Sequence, residues 1–175
     1  MKINLYTFNF NMQKFILLTS GCYFLIFSFL ISVNYWGDSA KIFHPGYENK
    51  IAEILFNNQN ATNIANYDER ILEKKIINKL KSSPDILVLG SSRTMLINSS
   101  YFDAKKVINN SVSGASLEDL IGIFQLYKAK NILPKKIILG IDPWLFNENS
   151  GQTRWHSLRK EYNSFINKES EINES

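Results

Sequence analysis

Asp85–Met95 read DILVLGSSRTM. The first half is an unbroken apolar run, the pattern of a strand buried on both faces of a sheet. The second half is a glycine, two hydroxyls and a guanidinium. A buried strand that stops this way is either an ordinary turn or a place where a serine is held up for chemistry. The flanking sequence sets the fold around it. Upstream, Ile71, Leu72, Ile76, Ile77 and Leu80 make one apolar stripe at helical spacing. A helix is therefore expected from Asp68 to about Lys81, capped by Asp68 and closed by Lys79 and Lys81. Downstream, Lys106–Asn109 (KVIN) reads as a short second strand and Lys136–Gly140 (KIILG) as a third buried one. Between them, Ser116-Leu117-Glu118-Asp119 has the form of a capping box opening a helix to about Lys130. Leu117, Leu120, Ile121, Phe124 and Tyr127 of that helix are expected to face inward. Strands alternating with helices imply right-handed crossovers and a parallel sheet covered on both sides. Three strands make a thin sheet for such a domain, so the chain reads as the N-terminal part of one.

A second feature precedes this domain. Phe15–Val33 (FILLTSGCYFLIFSFLISV) carries no charge and no proline, and its length suits a bilayer core. Tyr35 and Trp36 stand at its end, where amphipathic rings prefer the interface. Lys2 and Lys14 precede it, and the first acidic residue is Asp38, so the N-terminus is expected in the cytoplasm and the rest outside. Three other readings stand beside an uncleaved anchor. A cleaved signal peptide would want a small-x-small site where VNYW stands. A lipoprotein signal is suggested by Ser20-Gly21-Cys22, but the apolar run continues well past the cysteine. A buried core helix would need surroundings that the rest of the chain does not offer. The organisation expected is a cytoplasmic N-terminus over 1–14, a transmembrane helix over 15–35, a juxtamembrane segment over 36–66, the α/β domain over 67–147 and a polar tail over 148–175. The juxtamembrane segment contains the turn signal Pro45-Gly46 and a short helix over Lys50–Asn57, and the tail a helix around 156–167.

Composition removes several function classes. The chain has 175 residues with 20 basic against 16 acidic side chains, a net charge of +4, and the basic residues are scattered. That is no footprint for nucleic acid. The single cysteine, Cys22, gives no disulfide framework, and His44 and His156 lie far apart with no cysteine beside them, so no metal is expected. No Gly-x-Gly-x-x-Gly and no P-loop follows any strand, which leaves a nucleotide binder poorly supported and no cofactor expected.

In a parallel sheet every strand ends on the same rim, and sites form there. The three strands end in Gly90-Ser91-Ser92-Arg93, in Asn109-Asn110-Ser111-Val112-Ser113-Gly114 and in Gly140-Ile141-Asp142-Pro143-Trp144. A serine on a tight strand-to-helix turn exposes its hydroxyl. A glycine amide just before the capped helix at Ser116 aims a donor at developing negative charge.

These three blocks resemble the SGNH (GDSL-type) hydrolases, and more closely their membrane-anchored relatives in cell-envelope polysaccharide acylation. The resemblance spans about residues 65–160. It implies a flavodoxin-like three-layer sandwich with a parallel sheet, here incomplete and preceded by one transmembrane helix. Gly-Asp-Ser-x falls on Gly90-Ser91-Ser92-Arg93, which makes Ser92 the nucleophile with Ser91 in the aspartate's place. Asn-x-x-x-Gly falls on Asn110 to Gly114, which puts the Gly114 amide in the oxyanion hole. Gly-x-Asn-Asp falls on Gly140-Ile141-Asp142-Pro143, so Asp142 stands where the family has its asparagine donor. Arg93 and Asn110 are expected at the substrate, Arg93 either on an anionic group or paired with a carboxylate.

Two departures bear on activity. An ionised Asp142 only accepts hydrogen bonds and would repel an oxyanion. The family's Asp-x-x-His, which supplies the base, does not occur; His156 follows Asp142 in a polar stretch without the preceding aspartate, and His44 fits less well still. Without a base a serine is a weak nucleophile. Gly37-Asp38-Ser39 spells the first block but follows the apolar segment instead of a buried strand. The bland alternatives are that Ser91, Ser92 and Arg93 cap the next helix and that Gly114 serves a turn, while Trp144 and Phe146 are expected in the core and not as a platform for a sugar. The reading is thus a membrane-anchored, extracytoplasmic esterase or O-acyltransferase of envelope polysaccharide, truncated and inactive alone. The other class is a non-catalytic scaffold docking on a membrane acyltransferase or assembly complex.

Overall fold

The computed structural model describes residues 12–38, 42, 46–57, 59–64, 66–103 and 106–173, with side chains of the last helix described to 167. The expected cytoplasmic stretch up to residue 11, Ser39, His44 and Pro45 lie outside the described residues. The chain divides into two units, Met1–Pro45 and Gly46–Ser175.

The first unit is helix α1, Met12–Gly37, which is long and apolar enough to cross a membrane. None of its residues is buried, and Phe24, Leu25, Phe29 and Trp36 are all exposed. Ser32 and Asn34 donate their side chains back to the carbonyls of Ser28 and Leu30, so both spend their polar groups inside the helix.

The second unit contains helices α2 (Tyr47–Phe56) and α3 (Glu69–Lys79), strands β1 (Ile86–Leu89) and β2 (Val107–Asn109), helix α4 (Leu117–Ala129), strand β3 (Lys136–Leu139) and helix α5 (Arg159–Asn173). The caps expected from sequence are formed. Asp68 accepts from the Arg70 and Ile71 amides, and Ser116 and Asp119 close a reciprocal capping box on α4. The sheet is parallel, in the order β2-β1-β3.

Register assigns the faces. Leu87 lies beside Ile108 and Ile137, and Leu89 beside Leu139. On that face Leu87 and Leu89 pack with Ile77 of α3 and Leu80 just after it, with Leu120, Ile123, Leu126 and Tyr127 of α4, and with Leu158. On the opposite face Val88 lies beside Asn109, and Asn109 Nδ2 donates to the Thr94 and Ile97 carbonyls at 2.7 and 2.8 Å. The connection from β1 to β2 therefore crosses the second face, as right-handed crossovers in opposite directions require.

Four expectations need correction. No α-helix follows Ser92: residues 92–96 are turns, followed by a 3₁₀ turn at Ser99–Tyr101. Asn109 occupies the carbonyls of Thr94 and Ile97, and Asn98 caps the 3₁₀ turn, so side chains supply what a helix would supply for itself. Strand β3 is an edge strand and not a buried one. Ile137 and Leu139 share the core-facing side yet are 45% and 49% exposed, because the α3–α4 layer does not reach over them. Leu117 also points outward, at the first turn of α4. Finally, the domain is wider than 67–147. Ile51 and Ala52 of α2 bury themselves against Leu72 of α3, and Leu158 of the supposed tail is fully buried against α4, where it touches Gly122. The helix expected around 156–167 exists as a 3₁₀ turn, Arg154–Leu158, running into α5.

A buried ion pair ties these helices together. Arg70 of α3 forks onto Asp119 of α4, Nε to Oδ1 at 2.9 Å and Nη2 to Oδ2 at 2.8 Å. Its Nη2 also donates to the Ser113 carbonyl at 3.1 Å. With both oxygens met, and the capping box sharing Asp119, the pair is the well-satisfied kind that tolerates burial.

Candidate functional site at the sheet rim

The site begins where β1 and β3 stop. Gly90 and Gly140 face each other across the two strand ends, and a Cβ on Gly90 would sit 2.5 Å from Thr94 Oγ1 and 3.1 Å from the Gly140 Cα. Only two glycines let the strands meet with Thr94 folded between them. Thr94 in turn donates to or accepts from Ser111 Oγ at 2.7 Å, and its Oγ1 reaches the Ser91 carbonyl at 2.9 Å. Ser91 is buried, and its hydroxyl accepts from the Arg93 amide at 3.3 Å. That bond fixes a tight turn and pushes the next side chain outward. Ser92 is exposed, and among the described residues neither its hydroxyl nor its amide makes a hydrogen bond.

The three rim loops interlock. Arg93 Nη1 lies 3.1 Å from Asp142 Oδ1, and its guanidinium stacks 5.0 Å over the Trp144 ring. Trp144 Nε1 donates to the Ala115 carbonyl at 3.1 Å. The Val112 amide donates to the Gly90 carbonyl at 3.0 Å. Loop one thus holds loop three, loop three holds loop two, and loop two holds loop one. The carboxylate of Asp142 is buried and answered by Arg93, so the guanidinium serves an internal partner.

Gly114 stands in the second loop with φ of +56°, a left-handed conformation that a side chain resists. A Cβ there would also meet Gln152 Nε2 at 2.7 Å. Its amide makes no hydrogen bond among the described residues. The residue before it is held firmly. Glu69 accepts from the Ser113 amide at 2.5 Å and from its hydroxyl at 2.8 Å, while Arg70 takes the Ser113 carbonyl.

Asn110 lies on the inner side of this loop, 1% exposed. Its Nδ2 donates to Glu73, and its Oδ1 accepts from the Tyr127 hydroxyl at 2.5 Å. Both ends of the amide are therefore spent inside the protein, a packing position and not a surface one. Glu73 is half-buried, and its carboxyl accepts from the Asn110 side-chain amide. Burial pushes that carboxyl up to about 8, partly opposed by the Asn110 hydrogen bond and reinforced by the charge of Glu69. The Tyr127 hydroxyl is pushed up as well, first by burial and then by Glu73.

No family model, curated protein or solved structure matches the chain.

His156 belongs to a different neighbourhood. It is exposed on the 3₁₀ turn, edge-on to Trp155 at 4.6 Å, and among the described residues it makes no side-chain hydrogen bond. It lines an open cleft of about 570 Å³ with Leu117, Glu118, Trp144, Phe146 and Gln152. Phe146, expected in the core, is 72% exposed there. Sequence reasoning did not single out Glu73, Glu118, Gln152 or Trp155. Nothing in a linear reading brings Gln152 onto Gly114, and Glu73 looks like one more charge on a helix.

Proposed function

We propose that this chain is a membrane-anchored, extracytoplasmic SGNH hydrolase-like protein of the esterase or O-acyltransferase class. Its substrate would be an acyl ester of envelope polysaccharide. The observation that carries the reading is the rim itself: parallel strands in the order β2-β1-β3, with an exposed, unengaged Ser92 hydroxyl at the end of the central strand. That order is also how a flavodoxin-like sheet begins. In this reading Ser92 Oγ adds to the acyl carbonyl, and the amides of Ser92 and Gly114 receive the oxyanion. The acyl group then rests on Ser92 while the sugar oxygen leaves with the proton.

A second reading is favoured by what surrounds Ser92. Its hydroxyl has no base among the described residues, and Asp142 is a carboxylate at the position of the family's amide donor. A non-catalytic scaffold that keeps the rim and docks on a membrane acyltransferase fits those facts. Both readings predict weak or no turnover by the isolated chain.

The test is genetic and chemical. Acyl-ester content of the envelope polysaccharide is compared in cells carrying the wild-type chain, Ser92→Ala and a deletion. The enzyme reading expects Ser92→Ala to match the deletion. If the deletion changes the ester content and Ser92→Ala does not, the scaffold reading replaces it.

A further inference from the structure

We propose that the cleft between the first turn of α4, the Pro143–Phe146 turn and the Arg154–Leu158 turn is a binding site for an amino-sugar oligosaccharide. The lining mixes ring faces with amide and carboxylate oxygens. Phe146 is 72% exposed, and Trp155 lines the same cleft. Trp155 is fixed from two sides, edge-on to Tyr162 at 5.3 Å and beneath the Arg159 guanidinium at 5.7 Å. Trp144 is fixed by its bond to the Ala115 carbonyl and by Arg93. The rings are thus set in place before any ligand arrives, which lowers the ordering cost of binding.

The chemistry of the ligand follows from the rest of the lining. A pyranose presents an apolar face of C–H groups and an edge of hydroxyls, which suits ring faces interleaved with Asn147, Gln152, Glu118 and Glu148. The two carboxylates select the charge. They attract an ammonium and repel a uronate, and ring faces add a cation–π attraction for the same group. Of the cations nearby, Arg93 is paired with Asp142, Arg154 and Arg159 do not line the cleft, and His156 is the one basic side chain in the lining among the described residues, against two carboxylates. The open shape of the cleft suits a stretch of chain more than a single buried ring. Binding here requires nothing of the Ser92 hydroxyl, so it stands whether or not Ser92 is a nucleophile.

The full chain in detergent micelles is titrated with a glucosamine hexamer, a galacturonate hexamer and hexalysine near neutral pH, read by tryptophan fluorescence and calorimetry. Saturable binding of the glucosamine hexamer is expected, at least tenfold tighter than either of the others. Phe146→Ala and Glu118→Gln are each expected to weaken it about fivefold or more with an unchanged melting temperature. Ser92→Ala is expected to leave the affinity as it is. Absence of saturable binding, equal affinity for hexalysine or the galacturonate, or indifference to both cleft substitutions overturns the proposal. Loss of binding in Ser92→Ala also overturns it, by moving the sugar onto the rim.

Discussion

Asn109 and Asn110 are neighbours in sequence with opposite duties. Asn109 faces the connection after β1 and holds two of its carbonyls, while Asn110 faces inward and joins Glu73 to Tyr127. Asn109→Ala strips partners from two carbonyls at once, and a loss of about 2–3 kcal/mol is expected in denaturant unfolding of the detergent-solubilised chain. Glu73 gives the molecule a pH signature. Its folded carboxyl titrates at about 8 against 4.5 for an ordinary glutamate, so the folded state binds the proton more tightly. Stability from this group is complete at low pH and declines as pH rises from about 4.5 to about 8, with a slope of at most about 1.4 kcal/mol per unit. Glu73→Gln is expected to flatten that decline in a series of melts across the range. Of these roles, the sequence made only some legible. Asp68 and Ser116 announce themselves because a cap is a local device, satisfied within three residues. The partners of Asn110 lie on two different helices, and no spacing rule reports them.

Among the elements, α3 is the organiser. Its N-terminal turn supplies Glu69 and Arg70, and together they hold the Ser113 amide, hydroxyl and carbonyl just before Gly114. The helix itself was readable from its apolar stripe, but the stripe says nothing of the polar side that does the positioning. Arg70→Met leaves Asp119 buried without its counter-charge, and a cost of about 3–5 kcal/mol is expected in equilibrium unfolding. The double variant Arg70→Met/Asp119→Leu is expected to recover only part of this, since Asp119 also closes the capping box of α4. The strands show the reverse error. The IIL of β3 is as apolar as the ILVL of β1, and an apolar run signals burial only when the layer above it is wide enough. Here two helices cover β1 and leave Ile137 and Leu139 at the margin.

For the whole molecule, the apolar helix and the α/β unit were separable by composition alone, because Phe15–Val33 carries no charge while charged residues recur throughout the α/β unit. The rim trio was legible as three strand ends, whereas the cleft was not, since it is assembled from residues 116 to 156 folded over one another. The anchored topology proposed for the chain makes a direct forecast. The protein is expected to stay in the membrane fraction through alkaline carbonate and to leave it only with detergent. Protease added outside spheroplasts is expected to digest the α/β unit, and full protection would reverse the orientation.

The open margin at β3 also matters for how the protein behaves in the tube. Ile137 and Leu139 are half-exposed on a strand with no neighbour on one side among the described residues, and Ile141, just past its end, is 62% exposed. Such a border is a template on which other polypeptides zip up. Concentrated preparations are therefore expected to self-associate through this border, and Leu139→Lys is expected to raise the concentration at which light scattering first appears while leaving the melting temperature nearly unmoved.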